Sequence, residues 1–183
     1  MRTALLCIDM QMGMARRIAE GRQQANPQAE AQVAALLALF RAEGWPVVHV
    51  LHDEPGTPFM RDQPEGQPMP CACPLEGEAV LWKSRSSAFA GTGLEARLRG
   101  MGVERVVVIG AVAAFCVTST VRAASDLGFA VVLPGDALLA FDLPKPGGGR
   151  LDARDLLDMT LAVLGADFAR VIRADEAAAV LAA

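Results

Sequence analysis

Short apolar runs alternate along this chain with longer stretches whose apolar residues recur at helical spacing. The runs Thr3–Ile8, Pro46–Leu51, Ala79–Trp82, Arg105–Gly110, Ala130–Pro134 and Arg170–Ile172 carry apolar side chains at successive positions, as strands buried on both faces of a parallel sheet do. Helical stretches fall between them at Pro27–Ala42, Leu94–Arg99, Cys116–Leu127 and Ala153–Leu164. In the first of these, Val33, Leu36, Leu37 and Phe40 follow a helical period. Asn26 stands where an N-cap belongs, Pro27 at the first helical position and Gly44 just past the end. Strands alternating with helices predict parallel pairing through right-handed crossovers. The expected architecture is a three-layer α/β/α sandwich around a mostly parallel six-stranded sheet, one domain over residues 1–183.

Two connections interrupt the alternation. Residues 53–78 are rich in Pro, Gly and Met, and residues 141–150 carry Leu143-Pro-Lys-Pro-Gly-Gly-Gly-Arg150. Connections of that length are expected to be functional lids or disordered segments. Composition adds bounds. At 183 residues and 52% hydrophobic, the chain suits one domain with a full core. A net charge of −4 and a pI near 5.2, with no basic cluster, exclude a nucleic-acid partner. The first apolar stretch is only a strand and no cationic segment precedes it, so neither a signal peptide nor a membrane span is expected, and the cytoplasm is the expected compartment.

The ends of the apolar runs carry the chemistry. Asp9 follows Ala4-Leu-Leu-Cys-Ile8, Lys83 follows Ala79-Val-Leu-Trp82, and Cys116 comes shortly after Val106-Val-Val-Ile-Gly110 and opens a predicted helix. In open α/β sheets, ligands bind beyond the carboxyl ends of the strands, so three residues distant in sequence are delivered to one rim. An acid, an amine and a thiol together make a nucleophile with a base and a positive neighbour. A cysteine at a helix start is expected to favour its thiolate. Cys7 lies within the first strand and reads as a small core residue, while Cys71 and Cys73, in Pro70-Cys-Ala-Cys-Pro74, read as exposed loop thiols with no second ligand pair to complete a metal site.

These residues also carry a resemblance. Cys7-Ile-Asp-Met-Gln11, Lys83-Ser-Arg-Ser-Ser-Ala-Phe89 with Gly91-Thr-Gly-Leu94, Gly110 through Val117, Val121-Arg-Ala-Ala-Ser-Asp-Leu-Gly128 and Pro134-Gly-Asp-Ala137 resemble the isochorismatase-like cysteine hydrolases. That superfamily, Rossmann-like in fold, includes nicotinamidases and N-carbamoyl amide hydrolases. The resemblance implies a catalytic triad of Asp9, Lys83 and Cys116 that cleaves a C–N bond of a small amide or carbamoyl compound through a thioester. It further implies an oxyanion hole made of the Val112 and Cys116 backbone amides, a cis peptide between Ala111 and Val112, and a homodimer or homotetramer. Gln11, Phe89 and Phe115 are the expected substrate-binding residues. Met10, Met12, Phe59, Trp82 and Phe141 are further candidates for the pocket wall.

The chain departs from this pattern at two places. Nicotinamidases of the superfamily carry Asp-x-His and a further His on a divalent metal. The matching segment here, His49-Val-Leu-His52-Asp-Glu-Pro-Gly-Thr-Pro58, has no Asp-x-His, so no metal and no cofactor are expected. His49 reads as a hydrogen-bonded core residue and His52 as a pocket-lining one. On the nucleophile turn, where many relatives carry Thr and then a polar residue, this chain has Ala113 and Ala114 followed by Phe115, which predicts a more apolar pocket. Arg61, Arg85, Lys145 and Arg150 are the loop cations that could grip a substrate carboxylate. Two alternatives remain: vinyl ether hydrolysis of the isochorismatase type, which runs without the cysteine, and a non-catalytic binding subunit on the same fold.

Overall fold

A computed structural model describes residues 1–182. In chain order, β1 (Thr3–Ile8), α1 (Met12–Ala19), α2 (Ala29–Ala42), β2 (Val47–His52), β3 (Ala79–Lys83), α3 (Leu94–Gly100) and β4 (Arg105–Ala111) are followed by a π-helical turn (Ala113–Val117) that runs into α4 (Thr118–Asp126). Next come β5 (Ala130–Pro134), β6 (Leu138–Leu139), β7 (Leu143–Pro144), β8 (Arg150–Leu151), α5 (Ala153–Asp167), β9 (Arg170–Ile172) and α6 (Ala177–Ala182). The strands pair in the order β3-β2-β1-β4-β5-β9, all parallel, and β6 adds to β4 beyond the end of β5. The sheet therefore has seven strands rather than the expected six. The extra one, Leu138–Leu139, is two residues long, too short to carry a sequence period.

Alternation along the strands sorts the core onto the two faces. Leu5 and Cys7 of β1 join Val107 and Ile109 of β4 beneath α2 and α6, packed by Val33, Leu36, Leu37, Phe40, Val180 and Leu181. Ala4, Leu6 and Ile8 join Val106 and Val108 on the other face, under Leu94, Leu98, Val121, Leu157 and Leu164 of α3, α4 and α5. Side chains of successive strand residues point to opposite faces, so both faces bury apolar area and the middle layer is a hydrophobic slab. Gly110 is required where β4 meets β1: its φ is +116° and a Cβ there would stand 2.1 Å from the Ile8 carbonyl oxygen.

Chain order reverses between β1 and β4. The chain runs from β1 outward through β2 to β3, then returns to the other side of β1 with β4. Loops leaving β1 and β4 diverge at this switch and leave a crevice at the carboxyl ends.

One local expectation needs correction, and other segments carry structure that the sequence pattern does not show. Asn26 is not the cap of α2. The helix begins at Ala29, and the buried Asn26 amide instead donates to the Gly135 and Leu138 carbonyls at 2.9 and 3.0 Å, tying the loop before α2 to the strand ends. Helix α1 was not read from the sequence, because eight residues containing a glycine give too little period. The segment 141–150 is a short hairpin, β7 against β8, and residues 53–78 hold two 3₁₀ turns, at Pro64–Gly66 and Pro70–Ala72. Among the described residues no helix is long and apolar enough to cross a membrane.

Candidate active site

Three strand ends deliver one cluster. Asp9 follows the last residue of β1 with φ +48°, an uncommon conformation for a side-chain-bearing residue. Its amide donates to the Val50 carbonyl of β2 at 2.9 Å, which holds the backbone in place. Lys83 is the last residue of β3, paired in register with His52, the last residue of β2. Cys116 sits in the π-helical turn after β4, whose irregular winding places residues 112 and 116 on the same cavity. Such turns are frequent at functional sites. The Ala111–Val112 peptide that leads into the turn is cis.

The Lys83 ammonium is the hub. It donates to Asp9 Oδ2 at 2.8 Å and to Cys116 Sγ at 3.3 Å, and lies 3.1 Å from His52 Nδ1. Asp9 and Lys83 are both fully buried. On its other side, His52 Nε2 meets Glu54 Oε2 at 3.0 Å. A lysine that donates to Nδ1 leaves the imidazole proton on Nε2 for Glu54, so this pair of contacts assigns the tautomer. Asp9 Oδ1 is buried and has no hydrogen-bond partner among the described residues. Leaving an acceptor in that condition costs about 1–3 kcal/mol.

Electrostatics differ from the sequence expectation. Burial pushes the Cys116 thiol up to about 12, the Asp9 carboxylate pushes in the same direction, and Lys83 only partly offsets them. Burial also raises the Asp9 carboxyl, against the pull of Lys83. Burial and the Asp9 charge thus favour the protonated thiol of Cys116, against the expected pull toward thiolate. A helix terminus lowers a thiol's proton affinity only where burial and a neighbouring anion do not outweigh it.

Asp9, His52 and Cys116 form the floor of a cavity of about 460 Å³, whose wall includes Met14, Arg17, Pro58, Phe59, Val112 and Phe115. Glycine at position 13 lets Phe59 lie against α1; a Cβ there would be 2.7 Å from the ring. Asp9, His52 and Cys116 present ligand atoms within 4.8 Å of one another, an arrangement able to hold a metal ion. The ammonium of Lys83 already bridges these three residues, however, and supplies a positive charge at their centre.

The isochorismatase domain profile matches residues 3–167. The chain belongs to the isochorismatase family. An uncharacterized family member from Bacillus subtilis is 29% identical over 175 residues, 94% of this chain and 92% of that protein. Maleamate amidohydrolase of Pseudomonas putida is 33% identical over 146 residues, 71% of this chain and 68% of its own. The crystal structure of an isochorismatase-family protein from Chromobacterium violaceum superposes with a TM-score of 0.92 at 38% identity, over 99% of this chain and 94% of that one.

Within this isochorismatase fold the structure separates the sequence candidates. Asp9, Cys116, Val112, Phe115 and His52 line the cavity, and Lys83 lies behind them, bonded to Asp9 and Cys116. Gln11 does not line it. Its amide donates to the His52 and Gly66 carbonyls at 2.9 and 2.8 Å and its oxygen accepts the His52 N–H at 2.9 Å, so every polar atom of this buried side chain is spent tying β2 to the 53–78 loop. Phe89 is also displaced from the wall: its ring stacks on Phe129, centroids 6.0 Å apart, against the core of the opposite face. Of the other apolar candidates, Phe59 lines the cavity, Met10 and Phe141 are core, and Trp82 lies under the Arg61 guanidinium. His49 is bonded to Glu78 at 3.0 Å in the interior. Cys73 is an exposed thiol, but Cys71 packs partly against the core, and burial raises its thiol to about 11. Sequence reasoning missed Met14 and Arg17. Both lie on α1, one helical turn apart, immediately after the strand that ends in Asp9.

Proposed function

We propose that this protein is a cysteine amidohydrolase that cleaves a C–N bond of a small amide or carbamoyl compound through a thioester. The observation that carries this reading is the buried Lys83 ammonium, bonded at 2.8 Å to Asp9 and at 3.3 Å to Cys116, two residues that line one cavity. The likeness to an amidohydrolase over most of the chain supports the same reaction class.

In this mechanism the thiol keeps its proton until substrate binds. Asp9 Oδ1, buried and unpartnered among the described residues, accepts that proton as sulfur attacks the acyl carbon, and Lys83 offsets the negative charge that develops on sulfur. The raised proton affinity of Asp9 suits it to this task, since a base and an acid closer in affinity exchange a proton at lower cost. The oxyanion of the tetrahedral intermediate is held by the backbone N–H groups of Val112 and Cys116, which share the cavity wall. Collapse breaks the C–N bond, and Asp9 returns its proton to the departing nitrogen. Water then attacks the thioester, gives its proton to Asp9, and the carboxylic product leaves as Cys116 regains its proton. Lys83 occupies the place and supplies the charge that a metal ion would, so the reaction proceeds without one.

Ammonia release by the purified protein tests the proposal, over a panel of primary amides, N-carbamoyl compounds, ureido acids and biuret. Release is expected from at least one member, lost in Cys116→Ala, with an acyl adduct on Cys116 trapped by rapid quench and mass spectrometry. Turnover that survives Cys116→Ala would overturn the thioester route and point to chemistry run on Asp9 and Lys83 alone.

A further inference from the structure

Two neighbouring arginines on α1 meet opposite surroundings. Arg16 faces solvent, where its guanidinium donates to Glu20 at 2.8 Å and to Glu65 at 2.9 Å. Arg17 is half-buried on the cavity wall, its guanidinium carbon 5.3 Å from the centroid of the Phe59 ring. Among the described residues no carboxylate stands within ion-pair distance of Arg17, and its side chain makes one long hydrogen bond, 3.5 Å to Met14 Sδ.

The remaining cations with a claim to a substrate carboxylate fall away. Arg61 donates to Asp53 at 2.7 Å and Arg150 is held by Asp142, while Arg85 and Lys145 are exposed and line no part of the cavity. Glu54, the other carboxylate on the wall besides Asp9, is engaged by His52. The rest of the wall above the catalytic floor is mainly apolar, from Met14, Pro58, Phe59 and Phe115. Burial, joined by the nearby Arg22, lowers the proton affinity of Arg17, as expected for a cation that the folded chain leaves without a counter-ion. A guanidinium stays charged at every ordinary pH and offers a planar fork of donors that matches a carboxylate. A partly desolvated fork whose one internal acceptor is a distant thioether, with no carboxylate beside it among the described residues, is suited to receive an anion.

We propose that Arg17 is the anion-binding, specificity-determining residue of this cavity, and that the substrate is a small amide or carbamoyl compound bearing a carboxylate. This rests on the amidohydrolase reading above. The carboxylate takes the Arg17 fork, the scissile carbon meets Cys116, and the apolar part between them lies against Phe59 and Phe115. The Arg17 guanidinium lies over the Phe59 ring in any case, so a purely structural role predicts loss of stability without a change in charge preference.

Binding separates the two roles, and separates this proposal from the catalytic one. The Cys116→Ala protein, which retains the cavity, is titrated calorimetrically with matched pairs of short ureido acids and the corresponding ureido alcohols, and of dicarboxylic monoamides and their neutral hydroxy analogues. The acids are expected to bind at least about tenfold tighter than their neutral partners. Adding Arg17→Met, which keeps an unbranched side chain and removes the charge, abolishes that ratio, and Arg17→Lys restores part of it. With catalytic Cys116 in place, Arg17→Met raises KM for the acids at least about tenfold with a smaller change in kcat. No binding of any acid below 10 mM (on the order of the weakest affinity a filled carboxylate–guanidinium site gives), no preference for acids, or a preference that survives Arg17→Met would each overturn the proposal. A preference that depends on Arg17 while the unsubstituted enzyme cleaves no member of the panel would leave the anion site standing and count against the amidohydrolase reading.

Discussion

The two ends of β3 hold two carboxylates that the fold treats in opposite ways. Glu78, just before the strand, has both oxygens bonded: Arg41 donates to Oε1 and Oε2 at 2.8 and 2.9 Å, and Oε2 also takes the Leu75 amide and meets His49. Burial pushes its carboxyl up, but the Arg41, Leu75 and His49 contacts outweigh this and bring it down to about 2. Asp9, at the far end beside Lys83, is more deeply buried and keeps one oxygen without a partner among the described residues, and its carboxyl is raised. Each cluster holds an acid, a cation and a histidine, and each has a cysteine nearby: Cys7 at one end, its thiol raised well beyond the ordinary range by burial, and Cys116 at the other. The difference is saturation and access. A carboxylate with both oxygens bonded holds a structure together, whereas one left a free oxygen beside a cavity can take a proton from a neighbour.

The sharpest way to break the comparison is at the thiols. Cys116→Ala is expected to lower kcat by at least about a thousandfold, in line with loss of a nucleophile, while the thermal midpoint stays nearly unchanged. Cys7→Ala should do the reverse, costing about 1–2 kcal/mol for a small buried group and leaving kcat/KM intact. Equal loss of activity in both would remove the distinction.

Lys83→Met comes next. It abandons a buried carboxylate, so denaturant unfolding should show a loss of about 3–5 kcal/mol, together with loss of turnover. Glu78→Gln breaks an ion pair that is partly exposed, and a smaller loss of about 1–3 kcal/mol is expected, with kcat/KM within about twofold of the parent.

The two carboxylates should also give opposite slopes of stability against pH. The folded value of Glu78 is depressed from 4.5 to about 2, so its contribution is complete above pH 4.5 and is lost as pH falls toward 2. The folded value of Asp9 is raised above 3.8, so its contribution is present below that pH and is lost as pH rises through the folded value. Glu78→Gln should flatten the acid limb of a stability–pH curve, and Asp9→Asn should remove the opposing slope. The acid limb of kcat/KM should follow Asp9, with activity rising as its proton is lost, and should be untouched by Glu78→Gln. The smallest effect expected is none: dialysis against a strong chelator should leave kcat/KM unchanged, because the Lys83 ammonium already supplies the central charge.

Much of this site was legible in the chain because each of its principal residues ends or follows an uninterrupted apolar run. A parallel strand buried on both faces must read that way, and its carboxyl end is where a polar residue first reaches a crevice, so Asp9, Lys83 and Cys116 were visible from pattern alone. His52, last in β2, was legible for the same reason. Gln11 and Phe89 carried no comparable signal. A polar amide next to a catalytic strand serves a pocket or a backbone equally well, and only the positions of the residue 52 and 66 backbone groups decide between them. An aromatic at residue 89 goes wherever a partner ring lies, and that ring, Phe129, is forty positions away.

The sequence by itself determined the alternation of strands and helices, the two-faced core and the rim on which an acid, an amine and a thiol meet, since all of these follow from local period and from the sterics of parallel crossovers. Tertiary structure alone decided that Arg17 turns inward while Arg16 turns out, that Asn26 ties strand ends rather than capping a helix, and that the surroundings of Cys116 favour its thiol. Each of those depends on burial and on the distance to charges brought from elsewhere in the chain, and energies of that kind are set by the assembled surroundings rather than by neighbours in sequence.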